Sequence, residues 1–309
     1  MKKTALAIAL ASATTFANAA ETVEVKLPTF YGKMNVTQEF VQQENDGSYS
    51  RLQSNASRLG LKGDFALTEE VKAFYQAEYQ IDVDGDADDA EALTMRNTFV
   101  GAKGSFGSVQ AGIFDTALKA SQGKVDLFND LPADIKVVVT NSDNREANAV
   151  RYSSPSLSGL VLTIDHINAE AEGAHNGLSL SAVYKRDSIY AAVAHDRDVE
   201  GEGVNVTRVT GQVSVDALTL GALWETEDDN GESADGFMVS AAFKVNGKVA
   251  VKGQFASSDI KAEGAEQITV GADYKLTKNA KTFAFATTGE SDAEDSGMQV
   301  YGAGVEYKF

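Results

Sequence analysis

The stretch of this 309-residue chain whose residue types most suggest chemistry is the acidic run Asp82-Val-Asp-Gly-Asp-Ala-Asp-Asp-Ala-Glu91. Closely spaced aspartates are what a calcium loop offers, but such a loop needs Gly at its sixth position and Glu at its twelfth. Those positions hold Ala87 and Leu93, so the run reads first as a solvated acidic loop. The three histidines, His166, His175 and His195, follow no metal-ligand spacing. A hydrolase would need a Ser–His pair oriented by a third group, and nothing local marks one. The expectation is a chain with no catalytic residues, no metal and no cofactor: not an enzyme.

If side chains do not carry a reaction, the elements that place them carry the function. Lys2 and Lys3 precede an uncharged apolar stretch over residues 4–16, and Ala17-Asn18-Ala19 is a small-x-small cleavage site. Residues 1–19 therefore read as a secretory signal peptide, leaving one domain over residues 20–309. No later run of about 18 apolar residues exists to make a transmembrane helix. There is no cysteine, so an exported chain of this size needs another stabiliser, and a closed, fully paired sheet in lipid is one. All 45 acidic residues follow the signal segment, against 27 − 2 = 25 Lys and Arg, a formal −20. That balance argues against nucleic acid, whose phosphates need a basic surface.

Apolar and polar residues alternate along most of the chain. In residues 71–81, Val71, Ala73, Tyr75, Ala77, Tyr79 and Ile81 share one face; Lys72, Gln76, Glu78 and Gln80 share the other, with Phe74 the exception. At the end, Tyr301, Ala303, Val305, Tyr307 and Phe309 oppose Gly302, Gly304, Glu306 and Lys308. About sixteen such segments follow one another, at 29–40, 56–67, 70–81, 92–103, 107–114, 146–153, 158–168, 177–185, 188–196, 204–214, 217–226, 236–245, 248–257, 266–275, 280–289 and 298–309. Each is about the 9–11 residues that a tilted transmembrane strand needs.

The connections alternate between short turns, such as Asn246-Gly247, a type I′ hairpin signal, and longer acidic loops at 41–55, 82–91, 115–145, 169–176, 197–203, 227–235, 258–265 and 290–297. Short turns on one side and long loops on the other describe a membrane barrel with both termini on the periplasmic side. A soluble all-β protein is the plainer alternative, but it would not combine an export signal, an aromatic closing strand and this alternation. Loop 115–145 is long for a structureless connection, which points to a function of its own. Trp224, Tyr307 and Phe309 fit interfacial aromatic girdles.

The chain resembles the general trimeric porins of Gram-negative bacteria. The matching stretches are Phe30-Tyr-Gly-Lys33, Ser57-Arg-Leu-Gly-Leu-Lys-Gly63, Arg96-Asn-Thr-Phe-Val-Gly101, Gly104-Ser-Phe-Gly107, Asn148-Ala-Val-Arg-Tyr-Ser-Ser-Pro155 with Gly159, and Gly304-Val-Glu-Tyr-Lys-Phe309. The resemblance implies an all-β, 16-strand antiparallel barrel in the outer membrane, a homotrimer, and a third external loop folded into the lumen. It implies a constriction with Lys33, Arg58, Arg96 and Arg145 on the wall and Asp126, Asp130 and Asp134 on the loop, the three aspartates unranked. Strand alternation agrees for the basic set, since Arg58 opposes Leu59 and Leu61, and Arg96 opposes Met95 and Phe99. A lipid-facing Arg or Lys near the bilayer midplane would cost about 2–4 kcal/mol.

Opposed charges across a narrow waist make a transverse field that orders water and favours polar solutes, with pore radius limiting size. The expected function is passive diffusion of small hydrophilic solutes and ions. The acidic excess predicts modest cation selectivity, opposed by the four basic wall residues. Outer-membrane lipid and lipopolysaccharide are the expected surroundings, and the acidic 82–91 loop could bridge lipopolysaccharide phosphates through divalent ions or reach a neighbouring barrel. A substrate-selective channel and a plugged structural or adhesive barrel are the competing readings.

Overall fold

The computed structural model describes residues 27–85 and 93–309; the expected signal segment and most of the acidic 82–91 run lie outside them. The chain forms eighteen strand segments. The first half holds β1 (Thr29–Gln43), β2 (Gly47–Ser54), β3 (Arg58–Ala66), β4 (Lys72–Ile81), β5 (Leu93–Met95), β6 (Thr98–Gly104), β7 (Gly107–Asp115), β8 (Arg145–Ser153) and β9 (Leu160–Ile167). The second holds β10 (Gly177–Arg186), β11 (Ile189–Arg197), β12 (Val204–Val215), β13 (Leu218–Asp229), β14 (Glu232–Lys244), β15 (Val249–Ser258), β16 (Ala265–Lys275), β17 (Ala280–Glu290) and β18 (Met298–Lys308).

β2 and β3 both pair with β1 and are two parts of one spanning strand; β5 and β6 both pair with β4 and are two parts of another. The eighteen segments therefore make sixteen spanning strands. All neighbours pair antiparallel, and β1 also pairs with β18, so the sheet closes and keeps no edge.

The two interruptions are stitched by side chains. Asn35 N–H donates to Ser57 Oγ at 3.0 Å, and Glu78 N–H donates to Thr98 Oγ1 at 3.3 Å, where the regular ladder lapses. Such irregularities re-aim side chains. The second break, at Arg96 and Asn97, resets the alternation, so Phe99 packs with Phe74 and Phe114 at ring separations of 6.1 and 6.3 Å. The expectation that Phe99 opposes the polar face is corrected by that break.

Two expected loops are not loops. β1 runs to Gln43 and β2 starts at Gly47, so most of 41–55 is strand, and β13 and β14 pair up to Asp229↔Glu232. The turn between β13 and β14 is Asn230-Gly231, with φ of 53° and 96°, the type I′ pattern. Asn246-Gly247 is not of that type; there Asn246 Oδ1 accepts from Lys248 and Val249 N–H. Strand walls that rise beyond the bilayer carry charged residues on both faces, which reads as loop in sequence.

The outward face is apolar: Val193, Val209, Ile268, Val270, Tyr301 and Val305 are exposed, as a lipid-facing band requires. Their strand neighbours Ala194, Thr210, Gln267, Thr269 and Val300 are buried. What buries much of the inner face is the segment between β7 and β8. It contains two short helices, α1 (Ala117–Ser121) and α2 (Ile135–Val138). Phe128, Leu131 and Ala133 pack on Phe283, Phe285, Val41 and Val300; Val125, Ile135 and Val139 pack on Leu223, Met238 and Ala256. Each fully buried large side chain contributes about 1.5–3 kcal/mol. Gly271 makes room for this docking, because a Cβ there would lie 2.8 Å from the Phe128 ring.

Candidate functional site

Between this inner segment and the wall formed by β1–β8 lies a polar cavity of about 670 Å³. Its lining carries six cationic side chains, Arg51, Arg58, Arg96, Lys119, Lys136 and Arg145, and three carboxylates, Asp115, Asp130 and Asp143. The wall supplies the arginines. Arg58 opens β3 just after the first interruption, Arg96 sits in the second, and Arg145 opens β8.

Each is held by a carboxylate at or just behind the cavity surface. Glu78, buried on β4, lies 3.1 Å from Arg96 Nε and 3.6 Å from Arg58 Nε, and also accepts from Tyr31 Oη at 2.9 Å. Arg96 further donates to Gln80 Oε1 at 2.8 Å. Arg145 pairs with Asp115 at 2.8 Å and donates to Asn97 Oδ1 at 2.7 Å. Arg51 pairs with buried Glu39 at 2.8 Å. On the inner segment, Lys119 pairs with Asp143 at 2.9 Å. Lys136 is exposed and has no carboxylate within ion-pair distance among the described residues.

Lys33, the fourth basic residue singled out in the sequence, is buried and pairs with Asp130 at 2.7 Å. Lys33 therefore ties the wall to the inner segment and lies outside the cavity lining, whereas Arg58, Arg96 and Arg145 line it.

The three aspartates separate. Asp130 reaches the cavity from a left-handed turn (φ 66°). Burial raises its carboxyl's pKa, but the Lys33 ammonium, with Arg58 and Arg96, outweighs this and holds it below the usual range. Asp126 and Asp134 are buried and absent from the lining, serving the segment's own backbone. Asp126 accepts from Phe128 and Ile135 N–H at 2.9 and 3.0 Å. Asp134 caps α2 through Lys136 N–H at 3.0 Å and accepts from Asp130 N–H at 2.7 Å. Burial, with Asp134 adding to it, pushes Asp126 up to about 7.

Sequence reasoning did not single out Arg51, Glu39, Asp115, Lys119, Lys136 and Asp143. Glu78 and Gln80 were on the polar face of residues 71–81 and could have been proposed from it. Arg51 was hidden by the loop reading of 41–55. Among the described residues no cluster of His, Asp and Glu is arranged to hold a metal. His166 and His175 are exposed, and His195 Nδ1 lies 3.0 Å from Thr207 Oγ1 on a strand.

A closed barrel with an apolar outer band and a charged inner cavity is an outer-membrane channel architecture. The profile of the Gram-negative porin family matches residues 5–296, and the chain belongs to that family. It is 25% identical to the major outer membrane protein P.IB of Neisseria lactamica over 354 aligned positions, covering all of both chains. Among solved structures it is similar to an anion-selective porin from Comamonas acidovorans, with a TM-score of 0.74 at 19% identity over 92% of this chain and 99% of that one. It is also similar to OmpT of Vibrio cholerae in its trimer form, with a TM-score of 0.69 at 16% identity over 92% and 99%. The chain is thus an integral β-barrel of the Gram-negative outer membrane.

Proposed function

We propose that this porin is a water-filled channel for passive diffusion of small hydrophilic solutes and ions, narrowed by the 116–144 segment. The observation that carries this is the polar cavity of about 670 Å³ between that segment and the arginine-bearing wall. Asp130 and Asp143 on the segment face Arg51, Arg58 and Arg96 on the wall, so solutes cross a transverse field that favours dipolar species.

Selectivity follows the waist more than the chain's total charge. Counting the charged lining side chains with the groups that ion-pair them from behind, Lys33, Glu39 and Glu78, gives seven cations and five carboxylates, a formal +2. The excess comes from Glu78 serving two arginines and from Lys136 having no carboxylate partner among the described residues. The acidic excess that predicts cation preference lies largely in the external connections; two of its carboxylates reach the lining, Asp84 on Ser54 N–H and Glu200 on the Asn144 side chain, and lessen the positive excess there. We therefore place a weak anion preference at the waist, reduced by cation enrichment at the mouth.

Three copies form the working assembly in this reading, supported by the likeness to the trimer form of OmpT, with lipopolysaccharide around the outer rim. Swelling of liposomes holding purified protein, in neutral saccharides of increasing mass, tests the function. Non-saturable rates that fall steeply with solute size are expected. Saturable flux would indicate a substrate-selective channel, and no flux a plugged structural barrel.

A further inference from the structure

Arg208 on β12 is fully buried, with no exposed side-chain surface, and so is its partner Glu225 on β13, 2.6 Å away. A buried ion pair of this kind is weak evidence for barrel stability, because desolvation offsets the attraction. The guanidinium does more than meet Glu225. One terminal nitrogen donates to the Leu118 carbonyl at 3.2 Å and the other to Thr140 Oγ1 at 3.1 Å. Leu118 lies in α1, near the start of the inner segment, and Thr140 lies near its end. A single wall residue thus holds both ends of the segment that narrows the pore.

We propose that Arg208 is a positioning residue for the constriction: it clamps the two stems of the 116–144 segment and thereby fixes the width of the waist. Other wall groups each hold one stem: Asp165 accepts from Ala117 N–H at 2.8 Å and Ser179 Oγ from Leu118 N–H at 3.1 Å on the first, while Ser258 Oγ donates to the Val139 carbonyl at 3.2 Å and Glu227 accepts from the Asn141 amide at 3.0 Å on the second. Arg208 alone, among these, reaches both. Its planar fork suits three acceptors set in different directions, which a lysine ammonium on a flexible stem meets less rigidly. Glu225 Oε1 is buried without a hydrogen-bond partner, so Glu225 serves to neutralise the clamp rather than to bind the segment.

This inference rests on the segment being the pore's constriction. The test is single-channel recording of three purified variants beside the unaltered protein. Arg208→Met with Glu225→Met removes both charges of the pair and keeps an apolar wall, at the cost of the cation nearest the buried Asp196. Thr140→Val removes the acceptor on the second stem, together with the bond that its hydroxyl accepts from Ser142 N–H at 2.9 Å, and Arg208→Lys is the conservative comparison. Folding is checked by heat-modifiable migration in detergent gels.

The double variant is expected to fold, to show a several-fold rise in open-channel current noise with brief closures, and to admit larger neutral saccharides. Thr140→Val should show a smaller rise of the same kind, and Arg208→Lys should fall between the double variant and the unaltered protein. Unaltered noise and size limit in the folded double variant would overturn the proposal. If that variant does not fold, Thr140→Val decides, and quiet currents from it overturn the proposal. Absence of conductance in the unaltered protein would instead overturn the channel reading.

Discussion

Removing the charge of Lys136 should weaken anion preference by a calculable amount. Lys136 lines the cavity, is exposed, and has no carboxylate partner among the described residues. A unit charge seen by an ion passing at about 6 Å through water contributes about 0.7 kcal/mol, and a Debye length of about 10 Å at 0.1 M salt reduces this to about 0.4 kcal/mol. The change acts on anion and cation in opposite directions, so Lys136→Gln should lower the anion-to-cation permeability ratio about fourfold, and Lys136→Glu about fifteenfold. The backbone N–H of Lys136 still donates to Asp134 in both variants, so the cap of α2 is retained. Reversal potentials under a potassium chloride gradient read the ratio directly. An unchanged ratio, or one that moves toward anions, would refute the assignment of selectivity to the waist.

Other outcomes follow from the same geometry. Asp130→Asn leaves Lys33 buried without its carboxylate, which should cost about 3–5 kcal/mol and lower the temperature at which the folded gel band is lost; adding Lys33→Met should restore most of it. Asp126 binds its proton more tightly in the folded segment than at its ordinary value of 3.8, so its contribution to stability is fully present below that value and is lost as pH rises to about 7. Amide exchange in residues 124–136, corrected for intrinsic rates, should show more protection near about pH 5 than near about pH 8, and Asp126→Asn should flatten the slope; the opposite slope would contradict the assignment. Gly271→Val drives a side chain into the Phe128 ring and should destabilise the segment by about 1–3 kcal/mol, seen as faster proteolysis within residues 124–136 of an otherwise folded barrel.

The strand count, the outward apolar band and the long 115–145 connection were legible in sequence, because lipid imposes a strict two-residue period on every spanning strand. The extent of β1, β2, β13 and β14 was not. Residues such as Gln42, Arg51, Glu227 and Asp228 lie on strands but are too polar to read as such. A further signal was present and unused. Phe74, Leu223, Met238, Phe283 and Phe285 are apolar at positions where the alternation calls for an inner, polar face; all but Phe74 lie where the inner segment docks, and Phe74 packs with Phe99. The charge of the waist could not be counted from sequence. It depends on pairs such as Lys33–Asp130, 97 residues apart, and on Asp126 and Asp134 turning into the segment's own backbone.

Single-channel conductance of the purified, refolded protein in a planar bilayer tests the central claim most directly. Stable ohmic steps, arriving in groups of three, are the expected result. Folded protein that inserts and passes no current would contradict the account, because a waist held open between the 116–144 segment and the arginine wall has no other way to act as a diffusion pore.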